Sequence, residues 1–163
     1  MKGVKYIYLF RHGQTYYNKD KIFTGWKDSK LTSLGKKQAK TVAKKLKNKK
    51  IDVAFQTQLS RSKDTLKEIL KYHPEVKEII TANRMIERSY GDLEGTSHKS
   101  FIEKIGKKEI DLIKEGDVLE DLSKDQIKKI KKFLGELEYE IIHRGYNVAP
   151  SNGESFKDVE RRV

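Results

Sequence analysis

The sequence predicts an α/β fold built around a mostly parallel sheet. Two observations point there. Strand, helix, strand, helix, strand follow one another within the first 81 residues, the order of parallel crossover units. The opening run "VKYIYLF" (residues 4–10) is apolar on both faces, as a strand buried inside a parallel sheet requires.

Taken in order, residues 4–10 are the first strand, rich in β-branched and aromatic side chains. A loop follows, "RHGQTYYN", and then "KIFTGWKDSKLTSLG", with turn-forming glycines at Gly25 and Gly35. From Lys36 the apolar residues Ala39, Val42, Ala43 and Leu46 fall at helical spacing. "IDVAFQTQ" (51–58) is the second strand, "SRSKDTLKEILKY" (60–72) a helix with Ser60 as N-cap and His73-Pro74 as its stop, and "VKEIIT" (76–81) the third strand. "RMIERSYGDLEG" (84–95) has no clean period and reads as a loop.

Residues 97–142 are helical in pattern, with a break near "EGDVLEDLSKDQ" where Ser123 and Gln126 form a capping box. A further loop, "HRGYNVAPSNGES", leads into a last helix with Phe156, Val159 and Val163 on one face. The expected organisation is one domain over residues 1–163 with a helical insertion at about 96–146. His73, beside a proline, and His98, in a loop, read as surface residues; His143 reads as a loop histidine or a substrate-side contact with Arg144.

Composition narrows the function. The 163 residues are 36% hydrophobic and 37% charged, with 36 basic residues against 24 acidic and a net charge of +12. Such a field favours anionic ligands without specifying a fold. There is no cysteine, which excludes disulfides and thiolate metal sites, and no metal is expected. The N-terminal apolar run ends too soon, at Arg11-His12, for a signal peptide or membrane span, so a soluble cytoplasmic protein with no membrane partner is expected. Nucleic acid is not the expected partner: "KKLKNKK" reads as a solvated helix end and lacks aromatics for base stacking.

The chemistry is concentrated in "LFRHGQTYYN". A phosphoryl group in transfer spreads negative charge over its oxygens, so catalysis is mostly positioning and cationic stabilisation. A neutral imidazole such as His12 can attack phosphorus through one ring nitrogen when an acceptor, often a backbone carbonyl, holds the other. Arg11 offers a planar fork, Gly13 a close backbone approach, and Thr15 and Asn18 further donors. The end of a parallel strand is also where open α/β sheets place ligands. Taken alone, the pair also reads as a core histidine beside a surface arginine.

Four more segments extend the pattern. "RHGQTYYN" resembles the R-H-G-x-S/T-x-x-N signature of the histidine phosphatase superfamily, and "FTGWKDSKLTSLG" is similar to its cofactor-dependent phosphoglycerate mutase branch. "QTQLSRSKDTL", "MIERSYGDLEG" and "PSNGESFKDVERRV" resemble three further motifs of that branch, in the same order. The resemblance spans nearly the whole chain. It implies a three-layer, mostly parallel sheet with helices on both faces, and phosphoglycerate mutation between 3- and 2-phosphoglycerate in glycolysis and gluconeogenesis, primed by 2,3-bisphosphoglycerate. A phosphatase of the same superfamily, acting on a small phosphate ester, is the alternative. A catalytically impaired fragment or interaction module is a third reading.

By the same resemblance, His12 is the nucleophile, Arg11 and Arg61 bind the transferred phosphoryl, Asn18 donates to it, and Glu87 is the general acid/base. Thr24, Gly25, Arg88 and Tyr90 shape the substrate site, and Lys99 is a further candidate for binding substrate phosphate. A carboxylate beside Arg88 stays available as a base, and a helix starting near Ser60 and Arg61 turns its positive end toward an anion.

Two departures stand out. The family's second histidine lies in an apolar strand after the G-E-S helix, and the sequence ends at Val163, before that point. The sheet is therefore expected to be incomplete at its C-terminal end, or completed by a second copy of the chain or a strand-donating partner; "YEIIHRG" (139–145) lies before the G-E-S segment and is not the expected equivalent. The mutases also carry adjacent arginines in the insertion, whereas residues 95–146 hold Arg144 as their sole arginine among many lysines, which do not replace a bidentate fork. The F-T-G-W turn and the long insertion, which would exclude water, still favour a mutase.

Overall fold

A computed structural model of the chain describes residues 4–114, 119 and 121–163. Most of the expected break between the two insertion helices, residues 115–118 and 120, lies outside the described residues. The fold is α/β. Its described elements run α1 (Tyr16–Lys19), α2 (Ser33–Leu46), β1 (Val53–Gln56), α3 (Ser60–Leu70), β2 (Glu78–Thr81), α4 (His98–Lys114), α5 (Lys124–Arg144) and α6 (Phe156–Arg162), with single 3-10 turns at Asn83–Met85 and Gly91–Leu93. They divide into two compact units: residues up to Tyr16 with Asp28–Asn83, and Tyr17–Lys27 with Arg84–Val163.

In the first unit, β1 and β2 pair in parallel, Val53 opposite Glu78 through Gln56 opposite Thr81, joined by α3. This is the expected crossover. Helix α2 packs on α3, burying Ala39 and Ala43 against a core that includes Leu66 and Ile69. Thr32 caps α2 by accepting from Gly35 N at 3.0 Å. The cap of α3 differs from expectation. Ser60 is already helical and Leu59 is the N-cap residue, without a side-chain bond. Instead Asp28 Oδ1 accepts from both Ser60 N and Ser60 Oγ at 2.9 Å, a remote carboxylate at the positive helix end.

Residues 4–10 correct a second expectation. They form no strand, and Ile7 and Leu9 are 92% and 88% exposed. The described sheet has two strands and offers residues 4–10 no ladder partner. Apolar composition favours a strand only where neighbours satisfy its backbone and cover its faces.

In the second unit, α4 and α5 pack as an antiparallel pair closed by close glycine approaches at Gly106 and Gly135. The Ser123–Gln126 capping box is present at the start of α5. Phe23, Phe101 and Ile142 form the core here, with Tyr90, Leu93, Ile105 and Tyr139 packed around them. Helix α6 starts at a second capping box, Ser155 with Asp158. Among the described residues, no helix is long and apolar enough to cross a membrane.

Candidate active site

In the first unit, the histidine loop is held by both helices. His12 is half-buried, and its Nδ1 lies 2.7 Å from the carbonyl oxygen of Gly13. A carbonyl only accepts, so Nδ1 carries a proton, and in the neutral form of the ring the lone pair is on Nε2. Gly13 N donates to Thr65 Oγ1 at 3.2 Å, and Thr65 Oγ1 donates to the carbonyl of Arg61 at 2.8 Å. The backbone beside His12 is thereby tied to the first turn of α3, where Arg61 is 2% exposed. A buried guanidinium is retained only with partners or ligands to neutralise it.

The other end of the loop is fastened to α2. Gln14 N donates to Gln38 Oε1 at 2.8 Å, and the Gln14 carbonyl accepts from Thr32 N at 2.9 Å. Gly13 and Gly35 sit where these backbones cross: a Cβ on either would collide with carbonyl oxygen of the facing chain. Thr15 is fully buried and bridges Leu31, while Arg11 is exposed. The first unit thus brings Arg11, His12, Gly13, Thr15 and Arg61 onto one loop and one helix start.

The second unit carries Asn18, Thr24, Gly25, Glu87, Arg88, Tyr90 and Lys99. Asn18 is exposed on α1. Thr24 and Gly25 lie buried in a tight turn, with Gly25 at φ +49°. A Cβ on Gly25 would meet Glu94 Oε1 and Tyr90 N, so both conformation and space demand glycine. Glu94 is the hub of this region. Its Oε1 accepts from Trp26 N at 2.9 Å and from Ser89 Oγ and Tyr90 N at 3.0 Å, and its Oε2 accepts from Lys27 N at 3.0 Å. One carboxylate therefore fixes the Thr24–Lys27 turn against the segment that follows Glu87.

Glu87 itself is exposed, and its carbonyl accepts from Trp26 Nε1 at 2.8 Å and from Arg162 Nη2 at 3.1 Å. Arg88 is 5% exposed: its Nη1 donates to the carbonyl of Ile142 at 2.9 Å, and its guanidinium lies over the rings of Tyr90 and Phe156 at 4.6 and 4.5 Å. Its Nη2 is buried with no hydrogen-bond partner. Lys99 is exposed on α4, 3.9 Å from Glu103.

The histidines outside the loop are not surface residues. His98, the first residue of α4, and His143, on α5, are half-buried against Phe23; His143 stacks on Tyr139 at 4.1 Å, and the Tyr139 hydroxyl lies 3.0 Å from His98 Nδ1. Burial holds both imidazoles below their ordinary range, helped at His98 by His143 and Lys21 and at His143 by Arg88 and Arg144. His73 is 2% exposed in the first unit, with Nδ1 2.9 Å from Glu75 Oε1 and Nε2 unpartnered.

Trp26, Glu94, Glu154 and Arg162 were not singled out by the sequence as site residues. All four lie inside the quoted motifs, which is the signal that could have drawn attention to them.

Comparison with known proteins defines the class. The family model for the histidine phosphatase superfamily (branch 1) matches residues 7–118, and the chain belongs to that family. Among curated relatives, it is 36% identical over 160 residues to phosphoglycerate mutase of Schizosaccharomyces pombe, covering 96% of this chain and 62% of that protein. It is 34% identical over 160 residues to the 2,3-bisphosphoglycerate-dependent phosphoglycerate mutase of Bartonella henselae, covering 96% and 64%. The chain thus spans less than two thirds of these relatives' length. Solved structures share the fold: a mycobacterial glucosyl-3-phosphoglycerate phosphatase complexed with VO3 (TM-score 0.65, 24% identity, 93% of this chain and 57% of that one) and the alpha-ribazole phosphatase of Shigella flexneri (0.62, 21%, 93% and 59%).

Proposed function

We propose that the chain transfers phosphoryl groups through a phosphohistidine at His12, interconverting 3- and 2-phosphoglycerate. The observation that supports this best is the imidazole itself. With Nδ1–H donating to the Gly13 carbonyl, the lone pair sits on Nε2 and the ring is oriented by backbone.

In the first unit, phosphorylated His12 gives its phosphoryl group to the free hydroxyl of phosphoglycerate as the P–N bond breaks, and Nε2 then takes the other phosphoryl as its P–O bond breaks; Arg61 and Arg11 stabilise the charge on the transferring oxygens. In the second, Glu87 takes a proton from the attacking hydroxyl, then gives one to the oxygen whose P–O bond breaks. Asn18 and Lys99 contact phosphate, and Thr24, Gly25, Arg88 and Tyr90 hold the substrate. Within the first unit, the guanidiniums of Arg11 and Arg61 suit a phosphate of 2,3-bisphosphoglycerate. When bound, that molecule supplies a phosphoryl group for the histidine.

One observation favours a phosphatase instead. Residues 95–146 hold a single arginine, Arg144, and so lack the adjacent pair of guanidinium forks that would hold a glycerate carboxylate. In that reading the acceptor is water. Coupled assays with 3-phosphoglycerate, with and without the bisphosphate, separate the two. Bisphosphate-dependent appearance of 2-phosphoglycerate is expected; phosphate release without isomerisation would replace the mutase by the phosphatase.

A further inference from the structure

We propose that Arg162 is a positioning residue for Glu87, fixing the backbone from which this carboxylate projects. The inference rests on the reading of Glu87 as the acid/base and names what holds it in place.

Residues 86–90 lie in neither helix nor strand, so their backbone groups must find partners elsewhere. Three carbonyls of the adjoining stretch converge on one guanidinium. Arg162 Nη1 donates to Arg84 O at 2.5 Å, and Nη2 donates to Ile86 O at 2.8 Å and Glu87 O at 3.1 Å. A planar fork can serve several acceptors in fixed directions, whereas an ammonium is a point charge on a flexible stem. Glu87 is exposed, and its backbone sets the point from which its carboxylate projects.

The fork is itself held. Glu154 Oε1 accepts from Arg162 Nε at 2.7 Å, and Oε2 accepts from Nη2 at 3.0 Å. Burial pushes the Glu154 carboxyl up, but the Arg162 bonds and the Ser89 N–H outweigh it, so the group stays below the usual carboxylate range. Glu154 Oε2 also accepts from Ser89 N at 2.9 Å, and the Ser89 carbonyl accepts from Glu154 N at 3.0 Å. Arg162 therefore grips the segment at Arg84, Ile86 and Glu87, and Glu154 grips it at Ser89. Glu154 immediately precedes the capping box of α6 and Arg162 is the last residue of that helix, so α6 fixes the spacing between the two gripping side chains.

An ordinary structural ion pair would need the charge alone; positioning needs the fork. R162K keeps the charge beside Glu154 and loses the three-carbonyl geometry, so it separates the roles. R162M removes both. The expected R162K protein keeps wild-type helicity and a cooperative melt. Its amide exchange at residues 86–88 rises at least about tenfold, acrylamide quenches Trp26 more readily, and kcat falls about 10- to 100-fold while KM changes less than about twofold. R162M should match or exceed these losses.

R162K exchange, quenching and kcat all within about twofold of wild type would overturn the proposal, because charge alone would then suffice. A loss confined to KM would overturn it as well. A wild-type chain that never phosphorylates His12 overturns the functional reading instead. In that event the exchange and quenching arms still decide whether Arg162 holds the segment.

Discussion

The indole Nε1–H of Trp26 donates to the carbonyl oxygen of Glu87 at 2.8 Å. This bond joins the turn after the histidine loop to the segment bearing the proposed acid/base, two motifs 61 residues apart in sequence. Trp26 is also the chain's only tryptophan, so its fluorescence is a native reporter on Glu87.

Replacing Trp26 by Phe keeps an aromatic ring and removes the donor. Trp26→Phe should cost about 1 kcal/mol of stability, the net worth of one hydrogen bond. Steady-state kinetics should show the loss mainly in kcat. An unchanged kcat would mean that this bond does not position Glu87.

Glu94 gathers four donors from two segments of the second unit. Glu94→Ala leaves those N–H and O–H groups without their acceptor, and a loss of about 2 kcal/mol is expected in urea denaturation. Glu94→Gln keeps one carbonyl oxygen and should lose less. Equal stability for the wild type and the alanine variant would contradict the hub.

At Gly35 a Cβ would press against the carbonyl of Gln14, next to the His12 loop. Gly35→Ala is expected to destabilise by about 1–3 kcal/mol through overpacking, although alanine favours helices in general. Chemical denaturation reads this directly. A gain in stability would mean that the two backbones are not packed so tightly.

His98 and His143 are both held below the ordinary imidazole range by burial. The unfolded chain takes up protons as pH falls through about 6.5, while the folded rings stay neutral until lower pH. The unfolded state then binds more protons, so stability falls as pH falls. This stabilisation is complete above about pH 6.5 and is lost below it toward the depressed folded values. The lowered carboxyls of Glu154 and Glu75 act in a lower window, below their ordinary 4.5. Melting temperature should therefore drop between pH 7.5 and 5.5 in the wild type and less in a His98→Gln/His143→Gln double variant. A flat wild-type profile over that range would be inconsistent with the buried imidazoles.

Much of this was legible from residue order. The β1–α3–β2 unit follows from its alternation of apolar strand and amphipathic helix, and the α5 start follows from the local Ser123–Gln126 box. His12 with a carbonyl-held Nδ1 follows from the demands of phosphoryl chemistry on imidazole. What failed depended on distant partners. Residues 4–10 look like a buried strand, yet strand formation needs a neighbour that their own composition does not supply. Asp28 caps α3 from 32 positions away, so Ser60 looked sufficient by itself. His73, His98 and His143 are polar residues in unpromising local contexts, and only tertiary packing buries them. Glu94 and Arg162 do their work through backbone atoms of other segments, and such bonds leave no spacing in the sequence.

The central claim is that His12 accepts a phosphoryl group on Nε2. Incubation with 2,3-bisphosphoglycerate, followed by mass spectrometry and phosphorus NMR under alkaline conditions, tests it most directly. The account predicts an acid-labile phosphate on His12, attached at Nε2 and absent from His12→Asn. No acid-labile phosphate, or one attached at Nδ1 or on another residue, would contradict it.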